Sequence, residues 1–218
     1  MDSVGNNFLQ SRGHAGRLLG AKLRAYKNSG AVVVGIPRGG ALVAAALSEE
    51  LQLPFDVMPC RKIKHPGNGT RSIGSVSVQE IVLNPFAHDL PQDYIGHQIA
   101  MIRNSLQADD RFYHEEAAPL SLKGKIVILV DESLRTADSV MACLVNVKKQ
   151  MPFKVIVAVS VATQEVAAAI GRVADEVVFL YTEEDLRHPS FREFTAAKAC
   201  DVKALLMKLR RTEAFAMV

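Results

Sequence analysis

The sequence lacks several features that would place it in a specialised class of protein. Its 218 residues contain three cysteines, Cys60, Cys143 and Cys200, which are far apart and do not have the spacing of a zinc site. An odd number of distant cysteines favours reduced thiols and a cytoplasmic location over a disulfide framework. No apolar run approaches the roughly 18 residues that span a bilayer, and the first 20 residues contain no apolar signal core. We therefore expect no membrane partner.

The sequence also lacks a segment in which charge of one sign is concentrated. The net charge is +3 at pH 7, and the basic residues are spread along the chain instead of forming the cluster typical of a nucleic-acid binder. Nucleic acid is therefore not the expected partner. The sequence also has no G-x-S-x-G at a strand-to-helix turn, which argues against an α/β-hydrolase.

What the sequence does contain is a series of apolar, β-branched runs. With 49% apolar residues, the chain can bury a large core, and we expect one domain over residues 1–218. The predicted strands lie at 31–36, 54–60, 74–83, 125–130, 153–162 and 175–181, and the predicted helices at 15–26, 41–51, 92–116, 138–150 and 164–173. This alternation predicts a three-layer α/β fold around a mostly parallel sheet of about five strands. We expect 31–36 and 126–130 to be adjacent at its centre.

The first candidate site is the turn "GIPRGG", which follows a predicted strand and precedes a predicted helix. It contains Pro37, Arg38, Gly39 and Gly40. Ligands of parallel sheets bind at the carboxyl ends of the strands. Glycines let backbone N–H groups approach an anion, and Arg38 adds charge-assisted hydrogen bonds. The alternative is an ordinary tight turn with a solvated arginine.

The second candidate site is "DESLRTADS", which follows the apolar run "IVILV". Two adjacent acids at a strand end carry a desolvation cost unless a cation or a hydroxyl-rich ligand meets them. Asp131 and Glu132 are therefore predicted to take ribose hydroxyls or a metal. The loop amides, with Thr136 and Ser139, are predicted to hold a phosphate. The alternative is a helix that is simply capped by Asp138.

A third stretch, "RKIKHPGNGTRSI" at 61–73, is basic and contains glycine, proline and asparagine. This composition predicts an exposed and mobile loop. By themselves, Arg61 and Lys62 would be an ordinary solvated surface.

Together these motifs resemble those of type I phosphoribosyltransferases. The strand, acid pair and Thr-containing loop resemble the phosphoribosyl pyrophosphate motif of that family. Within one group of the family, "VVVGIPRGGALVAAAL" is similar to the pyrophosphate loop and its helix, "RKIKHPGNGTRSIGSV" to the flexible loop, "SRGHAGRLLGAKL" to the N-terminal helix, and "SFREF" with "DVKALL" to the C-terminal tail. Nearly the whole chain is covered, in the expected order.

The resemblance implies a phosphoribosyltransferase fold with a flexible hairpin loop and a small hood. It implies an enzyme of nucleoside metabolism, a transferase that moves the ribosyl 5-phosphate group from phosphoribosyl pyrophosphate to a nitrogenous base or other amine. Pyrophosphate is released, and a nucleoside monophosphate is the other expected ligand. Mg²⁺ is implied as the cofactor, bound through pyrophosphate and ribose hydroxyls with no protein ligand assigned, and a homodimer is implied as the assembly. The hood and the stretches "VSVATQ" and "LYTEEDLRHPSF" are implied to recognise the base.

The resemblance also implies roles for the site residues. The acid pair Asp131 and Glu132 would bind the ribose hydroxyls, and Arg38, Arg61 and Lys62 would hold the pyrophosphate. The catalytic set would be Asp131, Glu132, Arg38 and Lys62. The loop that cradles the 5′-phosphate would comprise Ser133, Leu134, Arg135, Thr136, Ala137, Asp138 and Ser139.

Five positions depart from the usual pattern of the family. Ala137 stands where a glycine is usual, Asp138 replaces a small neutral residue, Arg135 replaces a small residue, Ser133 replaces a common glycine, and Thr70 stands where the flexible loop commonly has Glu. An added Cβ obstructs the approach of the backbone to phosphate, and a carboxylate repels it. One alternative is therefore a catalytically degenerate protein of the same fold that binds a nucleotide, a sugar phosphate or a protein partner. A second alternative is an RNA-binding regulator.

Overall fold

The computed structural model describes residues 9–182 and 196–216. Most of the stretch "LYTEEDLRHPSF" at 180–191 and all of the motif "SFREF" at 190–194 lie outside the described residues. In the described part of the chain, no helix is both long and apolar enough to cross a membrane.

The described elements alternate between strands and helices, as the apolar pattern predicts. The strands are β1 (Val32–Gly35), β2 (Phe55–Val57), β3 (Cys60–His65), β4 (Asn68–Ser77), β5 (Ile81–Leu83), β6 (Ile126–Leu134), β7 (Lys154–Ala162) and β8 (Glu176–Thr182). The α-helices are α1 (Arg12–Lys22), α2 (Gly39–Leu51), α3 (Gln92–Tyr113), α4 (Asp138–Lys149), α5 (Gln164–Gly171) and α6 (Ala199–Ala216). Short 3₁₀ turns lie at Arg24–Tyr26 and Pro85–Ala87.

Five parallel strands form the central sheet in the order β2-β1-β6-β7-β8. Strand β6 is central and pairs with β1 from Val32 opposite Val127 to Gly35 opposite Val130. This confirms the predicted adjacency of the two strands.

Helices cover both faces of this sheet, which confirms the three-layer prediction. One apolar core joins the sheet to α1, α2 and α6, and the other joins it to α4. Helix α5 also packs in the second core, through Val166 and Ile170. Strands buried on both faces read as continuous apolar runs, which is why β6 and β7 are conspicuous in the sequence.

The stretch 61–73 is largely exposed, as its composition predicts, but it forms two strands and not a loop. Strands β3 and β4 pair as an antiparallel hairpin, and β5 adds a third strand. Ile63 and Ile73 have no exposed surface and pack against Ile95 and Leu106 of α3. The hairpin of the predicted fold is present, and the prediction of an irregular loop is wrong because the apolar residues on one face of the hairpin are buried while the basic side chains of Lys62 and Lys64 on the other are exposed. The predicted mobility of this stretch stays a prediction.

Two predicted strands are also divided by the structure. Residues 54–60 contain β2 and the start of β3, separated by Met58 and Pro59, and β2 and β3 belong to different sheets. Residues 74–83 contain the end of β4 and all of β5, joined by a turn in which Ser77 N donates to Glu80 O at 2.8 Å. An apolar run shows that a segment is buried, but it does not show which sheet the segment joins.

Helices α1 and α2 approach each other closely at a glycine. A Cβ on Gly16 would overlap the carbonyl oxygen of Val43 and lie 2.7 Å from the Ala46 Cβ. These neighbours include backbone, so they cannot move aside as the end of a flexible side chain can. The position of α1 on the sheet therefore depends on Gly16.

We expect Gly16→Ala to lower the free energy of unfolding by about 1 to 3 kcal/mol, because it forces overpacking between two helices. Gly13→Ala in the same helix is the control. The nearest atom to its new Cβ is the Arg17 Nη1 at 3.6 Å, and alanine favours the helix by up to about 1 kcal/mol. Urea unfolding of both variants measures the difference. Equal stability would contradict the close approach.

Candidate functional site

The turn "GIPRGG" connects β1 to α2 at the carboxyl edge of the sheet. Pro37 is half-buried and Arg38 is exposed, with a cis peptide bond between them. Helix α2 begins at Gly39, and Ala41 N donates to Ile36 O at 3.1 Å. Among the described residues, the Arg38 guanidinium has no hydrogen bond or ion pair, so it is available to a ligand.

The acid pair lies directly against this turn. A Cβ on Gly39 would overlap Glu132 Oε2, and a Cβ on Gly40 would lie 2.8 Å from the Cα of Asp131. Gly40 is therefore required by the approach of the β6 backbone, and a side chain at residue 39 would displace the Glu132 carboxylate. This is a different reason from the access of an anion that the sequence predicts. The two candidate sites converge at one edge of the sheet.

Strand β6 continues past the acids. Ser133 pairs with Val161 and Leu134 pairs with Ala162, so the acids lie inside the strand and not at its end as predicted. Leu134 is 1% exposed and belongs to the core, which leaves only its backbone for a ligand. Ser133, Arg135 and Thr136 are exposed, Ala137 is half-buried, and Ser139 lies in the first turn of α4.

The carboxyl group of Asp131 has an unusual proton affinity. Burial raises its pKa to about 7, although the hydrogen bond that it accepts from Glu132 N lowers the pKa. That hydrogen bond is 2.7 Å long. The charge of Glu132 raises this pKa further, and the charge of Lys62 lowers it. Asp131 therefore exchanges its proton near neutral pH.

Glu132 has a cationic partner that the sequence did not indicate. Arg12 Nε donates to Glu132 Oε2 at 3.1 Å, and the two side chains are 19% and 23% exposed. Arg12 begins α1 because Ser11 is the helix cap, with its Oγ accepting from His14 N at 3.1 Å. A cation in the first turn of a helix is disfavoured by the macrodipole. That unfavourable position is the signal that could have identified Arg12.

The two basic residues at the start of β3 face opposite sides of the hairpin. Lys62 Nζ donates to Thr136 Oγ1 at 3.0 Å, which joins the hairpin to the candidate phosphate loop. Arg61 instead contacts α3, with Nη1 2.7 Å from Ser105 Oγ and Nη2 2.6 Å from Asp109 Oδ2. Alternate residues of a strand face opposite sides. The structure therefore brings Lys62 to the loop and directs Arg61 away from it.

Asp138 has a partner that neither sequence interpretation included. Asn84 Nδ2 lies 3.1 Å from Asp138 Oδ1 and 3.2 Å from Oδ2. The residue at the N-cap of α4 is Ala137, which makes no side-chain capping bond. Asp138 is thus held toward the residue that follows β5, and it does not cap the helix.

These features define an α/β protein with a candidate ligand site at the carboxyl edge of a parallel sheet, where a basic turn, an acid pair and a polar loop meet. The sequence model of the phosphoribosyl transferase domain matches residues 6–178. The chain belongs to the phosphoribosyltransferase family.

Two kinds of relative support this assignment. TT1426 from Thermus thermophilus, whose crystal structure is known, is 32% identical, with a TM-score of 0.78 over 93% of this chain and 99% of that one. Two Mycobacterium tuberculosis proteins, "Putative phosphoribosyl transferase MT0597" of strain CDC 1551 and "Putative phosphoribosyl transferase Rv0571c" of strain H37Rv, are each 27% identical over 94% of this chain. The match covers 47% of each, so the chain spans about half the length of these curated relatives.

We expect Asp138→Ala to lower the free energy of unfolding by about 1 kcal/mol, because it removes the bond from Asn84 and a carboxylate from the start of α4. The affinity for ribose 5-phosphate should change less than twofold, since the carboxylate is directed to Asn84. Asp138→Asn, which keeps an acceptor for Asn84, is the control and should retain most of the stability. Denaturant unfolding and calorimetric titration measure the two effects. A large rise in affinity would show that Asp138 repels the ligand.

The raised pKa of Asp131 predicts a pH-dependent stability. The unfolded chain has an ordinary pKa near 3.9, so the folded protein holds this proton more tightly and loses stability as pH rises toward 7. Asp131→Asn removes this dependence. The free energy of unfolding of the variant minus that of the wild type should increase by on the order of 2 kcal/mol between pH 5 and pH 8.

Asp175→Asn is the control for this pH measurement. A hydrogen bond from Val155 N lowers the pKa of Asp175, and the Lys148 ammonium lowers it further. Asp175 is therefore ionised in both folded and unfolded chains above pH 5, and its replacement should add no pH dependence in this range. If the wild-type protein gains stability relative to Asp131→Asn as pH rises, the pKa of Asp131 is not raised in the folded protein.

Proposed function

We propose that this chain transfers the ribosyl 5-phosphate group of phosphoribosyl pyrophosphate to a nitrogenous base or other amine and releases pyrophosphate. The observation that carries the proposal is the meeting of three groups at one edge of the sheet. The Gly39 turn packs on Glu132, and Lys62 reaches Thr136 of the following loop. A ribose, its 5′-phosphate and a pyrophosphate need an acid pair, a polar loop and cations, respectively, within the span of one ligand.

In this proposal the acid pair accepts hydrogen bonds from the ribose hydroxyls. Glu132 is oriented by its ion pair with Arg12, so it is a fixed acceptor. Asp131 is partly protonated near neutral pH and can both donate and accept. A sugar diol offers donors and acceptors together, which matches this unequal pair.

The cations act on the leaving group. Pyrophosphate gains negative charge as the bond to the anomeric carbon breaks, so positive groups that meet it stabilise the transition state more than the ground state. Arg38, which has no partner in the described part of the chain, and Lys62 are the two we assign to this role. Both lie next to the acid pair.

The acids also fit Mg²⁺. This ion is usually held by one or two carboxylates together with substrate phosphates. Among the described residues no group of three or more His, Cys, Asp or Glu is placed to hold a metal. Pyrophosphate and the ribose hydroxyls would therefore supply most of the ligands, with Asp131 and Glu132 as the neighbouring carboxylates, and a bound ion would neutralise phosphate charge. With so few protein ligands nearby, the substrate would have to provide the remaining oxygen ligands of the ion.

Phosphate binding in the loop is favoured by the position of Asp138. Sequence reasoning placed a carboxylate beside the 5′-phosphate, and the bond from Asn84 directs it elsewhere. Ala137 remains a departure from the family pattern, since its Cβ is part of the core beside α4. The degenerate ligand-binding alternative rests on this residue.

Calorimetric titration with phosphoribosyl pyrophosphate and Mg²⁺, repeated with ribose 5-phosphate alone, tests binding. Pyrophosphate release with a panel of nitrogenous bases then tests transfer.

Glu132→Gln should weaken the binding of ribose 5-phosphate by about tenfold or more, because a hydrogen bond to a charged acceptor contributes about 1.5 to 3 kcal/mol. Lys62→Gln should weaken the binding of phosphoribosyl pyrophosphate more than the binding of ribose 5-phosphate, because we assign the lysine to the pyrophosphate group.

Lys149→Gln is the control, since Lys149 lies at the far end of α4 and pairs with Glu80 at 2.8 Å. It should leave binding and release unchanged. Binding without pyrophosphate release with any base would favour the degenerate alternative. No binding of either sugar phosphate would refute the transfer proposal and the sugar-phosphate form of that alternative. A cytoplasmic location, a homodimer and a single domain over residues 1–218 stay predictions.

A further inference from the structure

Two cysteine side chains meet where the start of β3 packs against α4. Cys60 is the first residue of β3, and Cys143 lies within α4. The two thiol groups share a hydrogen bond, and both residues belong to the core between the sheet and α4. Cys143 Sγ also donates to Met58 O at 3.5 Å, so α4 contacts the segment between β2 and β3 at the same point. Both cysteines are thiols in the structure, in contact but not bonded.

This thiol pair lies beside the candidate site but uses none of the groups assigned there. Alternate residues of a strand share one face, so Cys60 and Lys62 face the same side of β3. Lys62 reaches Thr136, in the loop that precedes α4, and Cys60 reaches α4 itself. A bond between the two sulfur atoms would therefore join the strand that carries Lys62 to the helix that follows Thr136.

The two thiols differ in their exposure to solvent. Cys60 is 9% exposed and lines a cavity of about 170 Å³, which is much larger than a single water requires, whereas Cys143 has no exposed surface. Burial raises the pKa of the Cys143 thiol, and the hydrogen bond with Cys60 and the charge of Cys60 raise it further. A small oxidant in solution therefore meets Cys60 first, and Cys143 lies behind it and keeps its proton.

We propose that Cys60 and Cys143 are an oxidation site that forms a reversible disulfide, with a peroxide as the oxidant. In the first step the Cys60 sulfur attacks hydrogen peroxide, an S–O bond forms, the O–O bond breaks, and the products are a sulfenic acid and water. In the second step the Cys143 sulfur attacks the Cys60 sulfur and the S–O bond breaks. The leaving hydroxide takes the Cys143 proton and becomes water. The two thiols lose two electrons in total, and one peroxide is reduced to two waters.

The contact between the thiols favours this second step over further oxidation of Cys60. A sulfenic acid that no thiol reaches is oxidised to sulfinic acid, which is irreversible for most proteins. Cys143 is already hydrogen-bonded to Cys60, so its attack requires no change of fold. A small dithiol reverses the reaction by thiol–disulfide exchange. This site goes beyond the proposed function and does not require turnover.

The test treats the full chain carrying Cys200→Ser with hydrogen peroxide. Cys200 is exposed and is replaced so that its thiol does not form disulfides between molecules. Unreacted thiols are blocked by alkylation before the protein is unfolded, and peptide mass mapping then identifies cross-links. We expect a peptide pair linked through Cys60 and Cys143, an intact mass lower by two hydrogens, and recovery of both thiols with dithiothreitol.

Single variants separate the roles of the two cysteines. In Cys143→Ala, Cys60 should accumulate sulfenic acid, which dimedone traps, followed by sulfinic acid. In Cys60→Ala, Cys143 should be oxidised at least tenfold more slowly than Cys60 is in the wild type, because it has no exposed surface. The control is Cys200 in the unaltered chain. Its exposed thiol should be oxidised but should not be cross-linked to either core cysteine.

Amide hydrogen exchange measures what the bond does to the hairpin. The disulfide ties the start of β3 to α4, so we expect exchange in β3 and β4 to be at least threefold slower in the oxidised protein. Reduction with dithiothreitol should restore the original rates. Strand β7, which lies in the central sheet and contains neither cysteine, should exchange equally in both forms.

Three results would overturn the proposal. They are sulfenic or sulfinic acid at Cys60 without the cross-link, a cross-link that forms only in the unfolded chain, and equal exchange of the hairpin in the oxidised and reduced proteins. The cross-link is measured with both core cysteines present, so it decides the proposal even if an alanine variant does not fold. Failure of the proposed transfer reaction would leave these results intact, so the two failures are distinguishable.

Discussion

The candidate site depends on the close approach of β6 to the turn after β1. Residue 40 cannot carry a side chain because the backbone of Asp131 occupies that space, and a side chain at residue 39 would displace the Glu132 carboxylate. The parallel pairing of β1 with β6 brings the two carboxyl ends together, and the missing Cβ atoms let the acids lie beside the basic turn. Sheet pairing and two glycines thus determine where charge is concentrated in this protein.

This arrangement keeps two adjacent acids in unlike states. Successive residues of a strand face opposite sides of the sheet. Glu132 faces α1 and meets Arg12, whereas Asp131 faces the side covered by α4, where burial favours its neutral form. The cost of placing two negative charges side by side is therefore reduced without removing either carboxyl group. A single fixed charge beside a proton-exchanging group suits a ligand rich in hydroxyls better than a bare cation.

Sequence reasoning predicted the parallel sheet, its central pair of strands and the meeting of the two candidate turns, because strands buried on both faces have an unmistakable apolar pattern. It did not predict the contacts that depend on tertiary structure. Arg12 and Glu132 are 120 residues apart, and Asn84 and Asp138 are 54 apart. Nothing in local composition couples such pairs. The family resemblance identified the site but not these partners.

The error at residues 61–73 has a different origin, and it bears on function. The interpretation from composition placed Arg61 and Lys62 on one basic surface, whereas a strand directs neighbouring side chains to opposite faces. Ile63 fixes the face of β3 that packs on α3, and Arg61 must share that face. Lys62 is thereby directed to Thr136. The burial of one isoleucine therefore decides which cation reaches the loop after β6 and which contacts α3.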